Sequence, residues 1–322
     1  MPHDYSRMAS ELLRSLRGRR SQVAFARRLK YRSNVVYSWE SGRAYPTAAG
    51  TLRIATGAGV DVRAAISRFY RHEPSWFRAH PDPTTAAAVA ALLDDLRGRT
   101  PIVAVAKEAN LSRYRVARWM AGETEPRLPD LLRMIEATSQ RLLDFVAALV
   151  DPTSLPSAAT AFRQLEAARR AAYDVPWSQA VLRVLELRSY QRLRVHRPGW
   201  IAERLGISTA EEERCLELLV QSHQLRLRAG KYELTRVQTV DTRSDVEAAR
   251  RLRAFWARVG SERLEGQDGG TFAYALFGVS ARDLARIRDL QTAYYRELRA
   301  IVSQSQPVER VALAALHLLP LA

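Results

Sequence analysis

The sequence predicts a mainly α protein: two tandem helical bundles, a unit of three helices with a β-hairpin, and a small C-terminal α/β domain. Three observations predict it. The first half repeats itself without a gap at an offset of 80 residues: Leu12-Leu13, Leu16-Arg17-Gly18-Arg19, Val23-Ala24, Ala26, Val36, Trp39, Gly42, Pro46 and Leu52 recur as Leu92-Leu93, Leu96-Arg97-Gly98-Arg99, Val103-Ala104, Ala106, Val116, Trp119, Gly122, Pro126 and Leu132. A two-fold repeat is a duplicated small domain rather than a solenoid. Within each copy apolar residues recur at helical spacing, broken by short turns, with no strand-like alternation. Further on, Leu225 to Thr235 alternates around Ala229-Gly230, as a hairpin does.

In order, the first copy predicts helices over Ser6–Leu16, Ser21–Leu29, Ser33–Ser41, Ala48–Ala55 and Val62–Phe69. The second copy repeats that plan. Proline-rich stretches from His72 to Pro83 and from Asp151 to Ser157 set the boundaries, because proline blocks helix continuation. Helices over Trp177–Leu187, Pro198–Leu205 and Ala210–Ser222, followed by the hairpin, make a winged helix. The last segment reads as helix Asp245–Leu264, loop Glu265–Gly270, strand Thr271–Val279, helix Ala281–Ser303 and strand Val308–Leu318, a βαβ-like core. The expected domains are therefore 1–72, 84–150, 160–241 and 242–322.

At 322 residues the chain fits several compact domains. Hydrophobic content of 47% with 26% charged residues belongs to a core-forming globular protein, and no apolar run is long enough to span a membrane. Met1-Pro2-His3-Asp4-Tyr5 lacks the apolar run of a signal peptide, and the single cysteine, Cys215, excludes an internal disulfide. A cytoplasmic location is expected. Net charge of +16 favours a polyanionic partner, and its distribution is uneven. Residues 1–80 hold 15 Lys and Arg against 5 Asp and Glu, whereas residues 81–150 hold 9 of each. Arginine-rich codon usage accounts for an overall bias but not for this clustering.

The chemistry concentrates in Ser21-Gln22-Val23-Ala24-Phe25-Ala26, a capped helix start, followed by the tight turn Lys30-Tyr31-Arg32 and a second cap at Ser33. From Gln22 to Pro46, with Trp39-Glu40-Ser41-Gly42-Arg43 closing the third helix, the segment resembles the XRE type of lambda-repressor-like helix-turn-helix domain, over about 50 residues. The resemblance implies that Gln22 contacts a phosphate or neighbouring base and that Arg32, Ser33, Asn34 and Ser38 face the major groove, with Tyr37 as a further contact and Arg27 and Arg43 on phosphates. Asn and Arg are also the side chains able to make bidentate contacts to adenine and guanine edges. Trp39 and Gly42 are read as structural, one buried and the other a left-handed C-cap. Lys30 stands where the family usually has glycine, a departure at the turn.

The second copy departs further, with Ile102 in place of the glutamine and no net charge. Its third helix still places Arg113, Tyr114, Arg115 and Arg118 on or near the corresponding face, which leaves direct DNA contact, dimerisation and simple support all open. In the winged helix, the second helix of the motif begins Thr209-Ala210-Glu211-Glu212-Glu213, which phosphates would repel. A protein-interaction or spacer role is therefore expected ahead of backbone contact by Arg226, Arg228, Lys231 and Arg236 on the wing. From about Trp177 onward the chain resembles uncharacterised bacterial transcriptional regulators sharing a C-terminal domain of unknown function. That resemblance rests on Trp200-Ile201-Ala202-Glu203-Arg204-Leu205, on Thr271 to Ser280 leading into Asp283–Arg299, and on Arg310-Val311 to Leu319-Pro320-Leu321. It implies regulation and supplies no ligand.

No metal-ligand spacing, phosphate loop or nucleophile elbow emerges, and the six histidines lie apart from one another and from Cys215. Cys215 reads as a small buried hydrophobe. The expectation is a regulator that is not an enzyme, needs no metal or cofactor, and binds double-stranded DNA as a homodimer whose paired copies read pseudo-palindromic or long sites. Its C-terminal half is expected to handle self-association or a protein partner. The rival expectations are an antitoxin-like or anchoring interaction protein with autoregulatory DNA binding, and a ligand-gated sensor.

Overall fold

The computed structural model describes residues 3–235, 240–242, 245–266 and 270–321 and divides into two compact units, Met1–Leu165 and Glu166–Ala322. Five helices form the first copy: α1 (Tyr5–Arg17), α2 (Gln22–Arg28), α3 (Val35–Glu40), α4 (Ala48–Ala58) and α5 (Val62–Tyr70). Their starts follow local chemistry. The side chains of Asp4, Ser21, Thr47 and Asp61 accept the N–H of Arg7, Ala24, Gly50 and Ala64 respectively, satisfying donors that a helix N-terminus leaves open. The second copy repeats the plan in α6 (Ala86–Arg97), α7 (Ile102–Glu108), α8 (Arg113–Met120), α9 (Leu128–Ser139) and α10 (Leu142–Leu149).

The two copies share one hydrophobic core, running from Met8 and Leu12 through Phe69 to Leu92, Leu132 and Phe145. They meet through equivalent parts. Pro46-Thr47-Ala48 lies antiparallel to Pro126-Arg127-Leu128, with Ala48 N–H donating to the Pro126 carbonyl (2.9 Å) and Leu128 N–H donating to the Pro46 carbonyl (3.0 Å). Helix α5 packs on α10, its own duplicate, while α1 packs on α9 and α6 on α4.

Both proline-rich stretches are more ordered than their composition suggests. Residues 75–78 form a 3₁₀ turn whose Phe77 is buried beneath the Arg63 guanidinium. Pro156 opens a 19-residue helix, α11 (Pro156–Asp174), because proline at the first helical position forfeits an N–H that has no partner there anyway. Glu11 on α1 accepts the N–H and hydroxyl of Ser157 at that start (2.9 and 2.6 Å).

Beyond α11 come α12 (Trp177–Leu185), α13 (Arg188–Gln191), α14 (Trp200–Leu205), α15 (Thr209–Gln221) and the antiparallel strands β1 (Leu225–Arg228) and β2 (Lys231–Leu234). Ala229 and Gly230 both take positive φ (48° and 74°), the turn whose twist suits a two-residue hairpin. Val181, Leu185, Ile201, Leu219 and Leu225 fill the core between these elements. Helices α16 (Val246–Glu265) and α17 (Ala281–Gln304) complete the chain.

The last segment corrects the expected α/β domain. Residues 271–279 and 308–318 form no strand, and the β1–β2 hairpin is the only sheet among the described residues. Alternation decides which side chains share a face, but a strand also needs a partner for its backbone groups, and neither stretch pairs. Tyr274 and Leu276 stand 93% and 78% exposed. The end of the chain docks differently: Arg188 N–H donates to the Val308 carbonyl (2.8 Å), and Val308 and Val311 pack on the core around α12. Gln267–Gly269 of the expected loop lie outside the described residues.

Candidate nucleic-acid interface

Helix α2 ends in a turn that sets the direction of α3. Tyr31 N–H donates to the Ala26 carbonyl and Lys30 N–H to the Arg27 carbonyl, both 2.9 Å, with Lys30 left-handed (φ 62°). These are the paired hydrogen bonds of a helix C-terminus that normally favours glycine. The second copy builds the same turn with Asn110 (φ 50°). Helix α3 then begins at Val35 rather than Ser33, with Asn34 as its N-cap residue. Asn34 makes no side-chain capping bond, so its amide is not committed to the helix.

One face of α3 is fixed by burial. Val36 and Trp39 enter the core, and Tyr31 meets Trp39 edge-on at 5.3 Å. At 100° per residue the opposite face carries Asn34, Tyr37 and Ser38. Tyr37 is 47% exposed, and the Arg43 guanidinium lies 5.2 Å from its ring. Gly42 follows with φ 73°, and Arg43 N–H donates back to the Ser38 carbonyl (2.9 Å). Arg27 on α2 and Arg32 and Ser33 in the turn are exposed, so the outward surface of α3 is polar at its centre, with Arg43 at its margin.

A buried clamp joins the two helices. Glu40 accepts Nε of Arg17 (2.5 Å), Nη2 of Arg17 (3.2 Å) and the side-chain amide of Gln22 (2.8 Å), with Nε of Arg14 at 3.7 Å. Burial alone would raise the Glu40 carboxyl, but hydrogen bonds from Arg17 and Gln22 and the charges of Arg17 and Arg14 hold it below its ordinary 4.5. Gln22, read from sequence as a DNA contact, therefore also ties the start of α2 to the end of α3. Glu40 and Arg17 were missed as site residues. Their signal lay in the repeat, where Arg14, Gln22 and Glu40 become Asp94, Ile102 and Met120 together.

In the second copy Val116 and Trp119 are buried, and Tyr114, Ala117 and Arg118 lie around the opposite side of α8. Tyr114 is 72% exposed. Arg113 stacks on Tyr114 at 5.3 Å, and Arg118 faces the exposed Glu123 at 3.3 Å. Arg115 sits apart from these: it pairs with Asp130 (2.6 Å) and lies 4.9 Å from the Trp119 ring.

The hairpin of the C-terminal unit offers less free charge. Arg226 pairs with Glu233 (2.8 Å) and Lys231 donates to the Gln191 carbonyl (2.7 Å), while Arg228 is exposed and Arg236 lies outside the described residues. Of the acidic run opening α15, Glu212 is internal: it accepts the Ala202 N–H (2.6 Å) and lies 3.2 Å from Nε2 of His196. Burial lowers His196 despite that carboxylate. Because His196 N–H donates to the Gly230 carbonyl (2.8 Å), the cluster braces the hairpin against the helices. Cys215 is buried, and burial pushes its thiol up to about 12.

Among the described residues no three His, Cys, Asp or Glu gather as a metal site, and no helix is long and apolar enough to cross a membrane. A family model described as a domain of unknown function (DUF4423) matches residues 157–321, just over half of the chain. No curated protein matches the chain, and no solved structure does. With its C-terminal half covered by that model, from the start of α11 to the end of the described residues, the chain belongs to the DUF4423 family.

Proposed function

We propose that the protein is a sequence-specific DNA-binding transcriptional regulator that reads the major groove of duplex DNA with α3. The observation that carries this reading is the outward face of α3: Asn34, Tyr37 and Ser38, uncharged and hydrogen-bonding, with Arg43 beside Tyr37 and the exposed Arg32 just before Ser33 in the chain. Base edges are read by such central groups and phosphates are held by such a margin. Five short helices with a tight left-handed turn between the second and third support the XRE-type assignment. The clamp of Gln22, Arg17 and Glu40 has a role here, since it fixes the pitch of α3 against α2.

The test is selection of bound sequences from a random duplex pool with the full chain at fixed salt, followed by Asn34→Ala. The substitution is expected to weaken specific binding by about 1–3 kcal/mol and to leave non-specific binding unchanged. Equal loss on selected and random DNA removes the base-reading role of Asn34.

The C-terminal half supports a second role, in self-association or binding of a protein partner. Leu290, Tyr294 and Ile301 share one side of α17 at helical spacing and stand exposed, as do Phe272, Tyr274 and Leu276 before it, and exposed apolar side chains of this number suit a protein-binding role. Helices α12, α14 and α15 with the hairpin, and the short α13 between the first two, suit a winged helix whose acidic α15 turns it from phosphate toward protein.

A further inference from the structure

The contacts between the two copies are reciprocal, and reciprocity is a statement about symmetry. Residue 48 donates to residue 126 and residue 128 donates to residue 46; subtracting the 80-residue offset makes these one contact made twice. Thr47 bridges Arg127, its own duplicate. Arg68 Nη2 donates to the carbonyl of Ala148, again its own duplicate, at 3.0 Å. Helix α5 packs on its duplicate α10, and the crossed pairs α1 with α9 and α6 with α4 are equivalent. A head-to-tail arrangement makes each contact once; only a two-fold relation makes i meet j while j meets i.

We infer that a single chain is an intramolecular pseudo-dimer that reads an inverted DNA site with two different half-sites, one under α3 and the other under α8. The inference rests on the DNA-reading proposal above and adds its target. The pseudo-two-fold passes between Thr47 and Arg127, and α3 and α8 end seven residues before it on either side (40 to 47, 120 to 127). At ~3.5 Å per residue each helix end lies within roughly 25 Å of the axis. A separation of about 34 Å, one turn of DNA between half-sites, is within that reach. Homodimeric readers present one surface twice. Here the duplicate surfaces differ: Ser33, Asn34 and Ser38 on one side stand where Arg113, Tyr114 and Arg118 stand on the other. Asparagine pairs with the adenine edge and arginine with guanine, so α3 is matched to an adenine-bearing half and α8 to a guanine-bearing half.

The experiment is the same selection with the full chain, repeated with Asn34→Ala and with Arg118→Ala, both at exposed positions outside the core. The expected result is an asymmetric inverted motif in which each substitution erases information from one half alone, with roughly 5- to 150-fold weaker binding to the parent site. This readout is independent of how many chains the C-terminal half gathers. A symmetric motif degraded in both halves by Asn34→Ala overturns the pseudo-dimer and keeps DNA reading by α3. A one-sided motif indifferent to Arg118→Ala does the same. No enriched motif with the parent chain overturns the DNA-reading proposal itself.

Discussion

Lys30 and Asn110 occupy the same left-handed position in duplicate turns, yet the two residues tolerate it unequally. A left-handed backbone costs an ordinary side chain about 1–2 kcal/mol, and asparagine is among the residues that escape part of it. Lys30→Asn is therefore expected to raise stability by about 0.5–1 kcal/mol in urea unfolding, a fraction of that cost. An unchanged midpoint would mean that the first turn holds no strain. Glu40 makes a second residue-scale case, with the sign set by its lowered carboxyl. A carboxyl held below its unfolded value contributes stability above about pH 4.5, and that contribution is lost as pH falls through the lower folded value. Glu40→Gln has no carboxyl to titrate there. It is expected to cost about 1–3 kcal/mol near neutrality by weakening the bonds to Arg17, and to flatten the loss of stability below pH 4.5. Equal slopes for parent and variant would assign the acid loss elsewhere, with Glu11, lowered by its bonds to Ser157 and Arg7 against burial, the first candidate.

Two elements with one ancestry solve the α2–α3 junction by different chemistry. In the first copy Glu40 gathers Arg17 and Gln22; in the second Ile102 and Met120 pack apolar against the core and Arg97 turns to Asp94 (2.6 Å). Breaking a buried charged pair from one side is costly, whereas replacing the whole set by well-packed apolar groups is often neutral. Gln22→Ile and Glu40→Met should each destabilise, and the triple variant with Arg14→Asp should recover much of the loss, with coupling of about 0.5–3 kcal/mol. Strict additivity in the unfolding energies would show that the two junctions are not interchangeable. The same comparison shows what was legible. The helices of both copies and the hairpin could be read from the apolar spacing of Leu12, Val36 and Leu225 and their caps and turns, because these are local signals. Helix α11 was hidden because Pro156 was read as a breaker when it occupies a helix start. The strands expected at 271–279 and 308–318 failed for a non-local reason, since Phe272 and Tyr274 alternate correctly but no strand among the described residues pairs with them. Of the candidate contacts, Asn34, Tyr37 and Arg118 lie on outward faces, and the pairing of the exposed Arg115 with Asp130 was not legible because that acid is fifteen residues away.

For the whole molecule, the repeat disclosed a duplication but not that the duplicates share a core, although residues 62, 66 and 69 and their counterparts 142, 146 and 149 are all apolar and buried. Five short helices need only one apolar stripe each to close a bundle; α5 and α10 bury Val62, Ile66, Phe69, Leu142, Phe145 and Val146 against each other's copy as well as their own. Phe69 and Phe145 meet edge-on at 5.6 Å, and Arg141 donates to the Phe69 carbonyl (2.6 Å). A boundary of that kind has no separate halves to melt, so the two copies are expected to open as one cooperative unit. Phe145→Ala is expected to cost about 3–5 kcal/mol through the cavity it leaves. Because the cavity lies in the common core, native-state hydrogen exchange should show the amides of α5 and α4 losing protection in step with those of α10 and α9. Protection lost in α9 and α10 alone, with α4 and α5 unchanged, would mean that the copies open separately and that their pairing is a weak contact. The pseudo-two-fold would then be too soft to hold two recognition helices at a fixed spacing on DNA, so the exchange experiment tests the mechanical premise of the inverted-site reading without any DNA present.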